Sequence, residues 1–207
     1  MKNSIILYLL ILFYSIGLFG CIVVKHEEKD ARPPTITLSP KPEIPMSDKL
    51  VRSKLGDMIA FLPENWFFVD LEDKLSPEII AVAVNPDYTL SAVFSNIHKN
   101  DKIIDIVNKE DTIGLARICF GRHERKTASS IKLIGKYSTI QMGSNTFVKY
   151  EFSTTEGALN TRSAVFISNL KEYYEFAIVP MTYTGKPLPP ATEIDKIFYS
   201  ILATVQY

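Results

Sequence analysis

The chain has 207 residues, 46% of them hydrophobic, and its 23 Lys and Arg are matched by 23 Asp and Glu. That balance argues against nucleic acid, which needs a net basic footprint, and gives no reason to expect a polyanionic partner. Beyond the N-terminal region, about 150 residues read as globular, which bounds the chain to a single domain.

The chain opens with Lys2, an almost wholly apolar run from Ile5 to Leu18, and Gly20 before Cys21. This is the layout of a cleaved secretory signal. The run Leu18-Phe19-Gly20-Cys21 resembles the lipobox of bacterial lipoproteins, with Leu at −3, Gly at −1 and Cys at +1. The resemblance implies that residues 1–20 are a signal peptide that is removed. It also implies that Cys21 carries a diacylglyceryl thioether and an acylated (palmitate-type) amine. Cys21 is then an attachment point to a membrane of the cell envelope, not a redox or metal residue. The alternative is an uncleaved transmembrane helix, because the uncharged stretch from Ile5 to Val24 is close to the ~20 residues a bilayer span needs. Ile22, where retention in the inner membrane favours aspartate, points to the outer membrane, on its periplasmic face. Lys25-His26-Glu27-Glu28 looks a little like the surface-export signals of some Bacteroidota lipoproteins, and reads more readily as solvated linker charge.

Residues 21–48 read as the lipidated cysteine and a Pro-rich charged tether. Pro33, Pro34, Pro40, Pro42 and Pro45 sit among charged and hydroxyl residues with few core formers. At ~3.1 Å per residue in polyproline II, such a tether reaches up to ~80 Å.

Residues 49–207 read as the globular domain. Met58–Leu62 is a first strand, Pro63-Glu64-Asn65-Trp66 a turn, and Phe67–Asp70 a second strand. Ile79–Val84 and Thr89–Ile97 are strands around the turn Asn85-Pro86-Asp87. Ile103, Ile106, Val107, Ile113, Ala116 and Phe120 then recur at helical spacing, with Asn100 or Asp101 as cap, a break near Glu110-Asp111-Thr112, and Gly121 as terminator. Strands follow at Ile131–Gln141, Thr146–Ser153, Ser163–Ser168 and Tyr173–Pro180, and their short links make neighbours antiparallel. Both faces of Tyr173–Val179 are fairly apolar, as in a central strand covered on both sides. Thr192-Glu193-Ile194-Asp195 has the form of a capping box. It opens a helix whose stripe is Ile194, Ile197, Phe198, Ile201 and Leu202.

The order, together with Phe61-Leu62-Pro63-Glu64-Asn65-Trp66, the strand Tyr173–Val179 and the closing Ile197–Leu202, is similar to the PsbP/Mog-like α/β/α sandwich. The resemblance covers roughly residues 56–207. It implies an α+β fold with an antiparallel sheet of about six strands flanked by helices. It also implies a protein that binds partners or assists assembly, and it brings no catalytic residues with it. Asn65 stands where the family's turn has Gly, and Asn tolerates the same left-handed backbone.

No Walker loop, dinucleotide fingerprint or nucleophile elbow is present in the sequence. His26, His98 and His123 lack zinc-ligand spacing, and Asp70-Leu71-Glu72-Asp73 lacks the calcium-loop pattern. No catalytic residue, metal or cofactor is expected. Cys119 lies in an apolar neighbourhood and reads as a buried thiol. The residues expected to contact a partner are Trp66, beside the Pro63 turn, and the basic cluster Arg117, Arg122, Arg125 and Lys126. That cluster also suits the dipole of a helix C-terminus. The reading is a non-enzymatic, lipid-anchored envelope protein that docks an envelope protein partner. A small-ligand or lipid-binding module with a pocket near loop 182–190 is the alternative, and a hydrolase is the third reading.

Overall fold

The computed structural model describes residues 33–70, 76–127, 130–154, 159–182 and 185–207. The expected signal peptide, Cys21 and Leu71 to Asp73 of the acidic group lie outside the described residues.

Alternation of large apolar side chains drives the sheet. Along β8 (Asn145–Thr154), Phe147 turns to one face while Val148, Tyr150 and Phe152 turn to the other. Along β10 (Tyr173–Pro180), Tyr174, Phe176 and Ile178 share the first face, and Tyr173 the second. Eight strands form one sheet in the order β1-β7-β8-β9-β10-β6-β5-β4. The others are β1 (Thr35–Leu38), β4 (Phe67–Phe68), β5 (Ile79–Val84), β6 (Leu90–Asn96), β7 (Ile131–Met142) and β9 (Asn160–Ile167). Pairing is antiparallel except that β1 runs parallel to β7. The sheet therefore has more than the six strands expected. β10 is internal and buried on both faces, as its composition predicted.

Helix α1 (Asp101–Lys126) covers β7, β8 and β9 on one face. Helix α2 (Ala191–Thr204) and the hairpin of β2 (Met46–Arg52) and β3 (Ile59–Pro63) cover the other. Two cores result. Phe94, Phe176 and Phe198 stack through the α2 side, and Leu115, Cys119, Tyr150 and Val165 fill the α1 side. Each fully buried side chain of this size contributes roughly 1.5–3 kcal/mol.

Several local expectations change. The folded unit begins at Pro33, not at residue 49. Thr35–Leu38 pairs with Thr139–Met142, and Met46–Arg52 pairs with β3, so two stretches of the expected tether, Thr35–Leu38 and Met46–Asp48, are strand. Helix α1 passes through Gly121 to Lys126 and ends at Thr127, whose N–H bonds the His123 carbonyl. Asn100 caps its start, accepting from the Ile103 N–H at 3.0 Å. The expected break is at Asp111, with φ 56° and ψ −151°. Helix α2 starts one residue before the expected capping box. Pro190 occupies the cap without a side-chain bond, and Asp195 instead accepts from Arg162 Nε at 2.5 Å. Asn65 does adopt the left-handed turn, with φ 65°.

Candidate functional site

Two loops at one end of the sheet meet at a single carboxylate. The β2–β3 turn supplies Ser53, Leu55, Gly56 and Asp57, and the β9–β10 turn supplies Ser168, Asn169 and Leu170. Asp57 Oδ1 accepts from Ser53 Oγ at 2.6 Å and from Tyr174 OH at 2.6 Å, and its Oδ2 accepts from Ser168 Oγ at 2.5 Å. Burial alone would raise this carboxyl, but the three hydroxyls outweigh it and hold it below its ordinary value. The same geometry acts in reverse on Tyr174: burial and then the Asp57 bond push its phenol up to about 12. With both carboxylate oxygens engaged, Asp57 is a clasp between two turns, poorly placed to take a proton from a substrate.

Beside the clasp lies an open cleft of about 480 Å³, lined by Leu55, Gly56, Asp57, Ile59, Asn169, Leu170, Gln206 and Tyr207. The C-terminus closes one wall: Ile59 and Gln206 exchange backbone hydrogen bonds at 3.0 and 2.9 Å. Leu55 and Leu170 stand on the rim, 64% and 59% exposed. None of the described residues of 182–190 lines it. Loop 182–190 leaves β10 at the other end of the sheet, so this cleft does not correspond to the ligand pocket expected there.

A second cluster lies under α1. Glu175 is buried in β10 and accepts from His123 Nε2 at 2.9 Å and, through a short bond, from Tyr150 OH. Burial would raise Glu175, but the bond and charge of His123, followed by the hydroxyls of Tyr150 and Ser163, keep it lowered. Ser163 Oγ makes no well-formed hydrogen bond among the described residues, so its effect on the carboxylate is a weaker one. Cys119 lies one helical turn before His123. Burial, and next the Glu175 charge, drive its thiol well above its ordinary value. A thiol in that state is not a nucleophile. This is a Cys, His and Glu grouping in which a thiol held protonated packs beside one paired carboxylate.

The residues expected to contact a partner separate. Trp66 is only 4% exposed and sits in the α2-side core, because the Pro63 turn folds it inward; this removes it as a surface contact. Arg117 pairs with Glu110 at 2.6 Å, and Arg122 pairs closely with Glu78. Arg125 and Lys126 are exposed on the last turn of α1. The four therefore do not form one uniform patch. His98 is exposed, and no group of three or more metal-ligating side chains occurs among the described residues. The Asp57 clasp was invisible in the sequence, since its partners come from positions 53, 168 and 174. Glu175 left one signal: a carboxylate alternating into the apolar face of a central strand.

No protein-family model matches the chain, and no curated protein matches it. Among solved structures, cyanobacterial PsbP (CyanoP) from Synechocystis superposes with a TM-score of 0.52 at 13% identity, covering 77% of this chain and 92% of that one. The Ran-binding protein Mog1p of Saccharomyces cerevisiae superposes with a TM-score of 0.46 at 14% identity, covering 78% of this chain and 95% of that one. The expected PsbP/Mog-like architecture is the one found: a large sheet between α1 on one face and α2 on the other. At such identity the likeness concerns the fold.

Proposed function

We propose that the protein is a lipid-anchored component of the cell envelope whose domain docks another envelope protein and performs no chemistry of its own. The observation that carries this reading is the cleft rimmed by Leu55 and Leu170. Two leucines held more than half exposed, on turns clasped by Asp57, offer a preformed apolar grip. The groups around them support binding rather than turnover, since Asp57 is saturated and Cys119 is disfavoured as a thiolate. Acylation of Cys21 would raise the local concentration of the domain near membrane partners without any added contact. The envelope location, the signal peptide and the anchor rest on the lipobox resemblance at Leu18-Phe19-Gly20-Cys21.

A photo-crosslinking residue at position 170 in intact cells tests the docking role. A discrete protein adduct is expected, and it is lost when Leu55 is changed to Asp. No adduct from position 170, or one that survives Leu55→Asp, counts against the Leu55–Leu170 grip. Mass spectrometry of the mature N-terminus tests the anchor: acyl mass on Cys21 is expected. A Cys21→Ala chain that stays membrane-bound at its uncleaved size makes a transmembrane helix the better reading. The size of the cleft favours a second reading, a small apolar ligand, since such pockets run ~300–1,000 Å³. In that case ligand extraction from the purified protein returns a small molecule and crosslinking returns none.

A further inference from the structure

The two turns that rim the cleft are built alike. In the β2–β3 turn, the Ser53 carbonyl accepts from the Gly56 N–H at 3.0 Å, and Ser53 Oγ accepts from the Met58 N–H at 3.2 Å. In the β9–β10 turn, the Ser168 carbonyl accepts from the Lys171 N–H at 2.8 Å, and Ser168 Oγ accepts from the Glu172 N–H at 3.1 Å. Each is a β-turn with serine first, leucine third and a left-handed residue fourth: Gly56 with φ 73° and Lys171 with φ 63°. Both serine hydroxyls donate to the Asp57 carboxylate. One acid thus holds two matched turns, and each presents a leucine at the same place.

The turns themselves do not call for those side chains. Turn geometry favours Gly, Asn, Asp and Ser over leucine, and Leu55 and Leu170 bury less than half of their surface in return. Lys171 has the same character. A left-handed backbone is free of strain for glycine, as at Gly56, and disfavoured for a side chain with a Cβ. Residues kept against local preference gather where something binds.

The charge around the leucines has one sign. Lys54 precedes Leu55, Lys171 follows Leu170, and the Arg52 guanidinium reaches over Gly56, where a Cβ would lie 2.8 Å from its Nη2. All three cations are exposed, and none has an ion-pair partner among the described residues. The acids beside them are already satisfied: Asp57 by three hydroxyls, Glu172 by Lys99 at 2.6 Å. Asp101 is exposed but belongs to α1, which covers the opposite face of the sheet, and Lys102 follows it. Even with the α-carboxylate of Tyr207 counted, the unpaired charge on the rim is positive. The whole-chain balance of 23 cations and 23 anions hides this local excess.

We propose that the cleft takes an acidic segment of the partner protein, whose apolar side chains seat between Leu55 and Leu170 while its carboxylates meet Lys54, Lys171 and Arg52. The inference rests on the docking reading and names the chemistry of the partner. Burial of the two leucines supplies the grip. The cations select the sign of the segment and steer its approach, and the planar fork of Arg52 matches a carboxylate. Because the Asp57 clasp fixes the two turns beforehand, little ordering remains to be done on binding.

The test places benzoylphenylalanine at Asn169, which lines the cleft and leaves both leucines in place, in the full chain in intact cells. The crosslinked partner peptide is sequenced by mass spectrometry. A segment in which Asp and Glu outnumber Lys and Arg, with apolar residues among them, is expected. Lys54→Glu with Lys171→Glu should lower the adduct about tenfold, while Lys54→Arg with Lys171→Arg retains it. Lys171→Gly should also lower the adduct, yet keep the urea midpoint at or above that of wild type, since glycine suits the left-handed position. A merely structural lysine would do the opposite. An adduct that is lost in Leu55→Ala but indifferent to the charge reversal, or a captured segment of net positive charge, overturns the proposal and leaves the docking reading. No protein adduct at position 169 overturns the proposal, and none at position 170 either removes the docking reading as well. An adduct of the chain with itself makes a second copy the occupant and also overturns it.

Discussion

Replacing Asp57 by Ala removes the acceptor of three hydroxyls at once, from Ser53, Ser168 and Tyr174. Hydrogen bonds to a charged group contribute about 1.5–3 kcal/mol each when buried. Here the value is lower. Ser53 Oγ still accepts from the Met58 N–H and Ser168 Oγ from the Glu172 N–H, and water from the cleft can reach the freed hydroxyls. Counting about 1 kcal/mol per bond gives a loss of ~3 kcal/mol for Asp57→Ala. Asp57→Asn keeps one acceptor oxygen and should lose ~1 kcal/mol. Urea unfolding followed by the fluorescence of Trp66, the single tryptophan and a buried one, measures both. The pH dependence fixes the cause. The folded carboxyl lies below its ordinary value of 3.8, so its contribution is fully present above that pH and is lost as the pH falls through the lowered folded value. Wild type and Asp57→Ala should therefore converge in strong acid. Tyr174, pushed up to about 12 partly by this carboxylate, should titrate closer to 10.0 in the variant. An Asp57→Ala chain within about 0.5 kcal/mol of wild type at neutral pH would refute the clasp.

Two further outcomes follow from the cluster under α1. Glu175→Ala leaves the buried Tyr150 hydroxyl without its acceptor and removes the partner of the part-exposed His123, and should cost ~1–3 kcal/mol, more than Glu175→Gln, by the same urea assay. The Glu175 contribution is present above 4.5 and is lost as acid takes the pH through the lowered folded value, so the two variants should also show weaker acid dependence than wild type. Cys119 should resist a thiol-specific chromogenic reagent in the native protein and react fully in denaturant; rapid native labelling would contradict a buried, raised thiol.

Strong periodicity made much of this fold legible. The alternation in Tyr173–Val179 marked a strand buried on both faces, Glu110-Asp111-Thr112 marked the break in α1, and Pro63–Trp66 marked a left-handed turn. What stayed hidden depended on distant partners. Thr35–Leu38 is four residues among prolines, and only β7, about a hundred residues later, makes it a strand. Thr192 looked like a cap because Asp195 follows it, yet Arg162 on β9 claims that carboxylate. Trp66 beside the Pro63 turn reads from sequence as either a cap on the core or the flank of a groove, and it joins the same buried cluster as Leu62 of β3 and Ile194 of α2. The cleft was the least legible part, since its wall joins two turns and the C-terminus across more than a hundred residues.

The parallel ladder between β1 and β7 also has a mechanical meaning. A pull on Pro33 directed along the strand axis would load the pairs from Thr35–Thr139 to Leu38–Met142 together in shear instead of peeling them open one by one. A domain leashed through that strand would hold its shape against a tug on its neighbour, and the leash would go taut before the fold gave way.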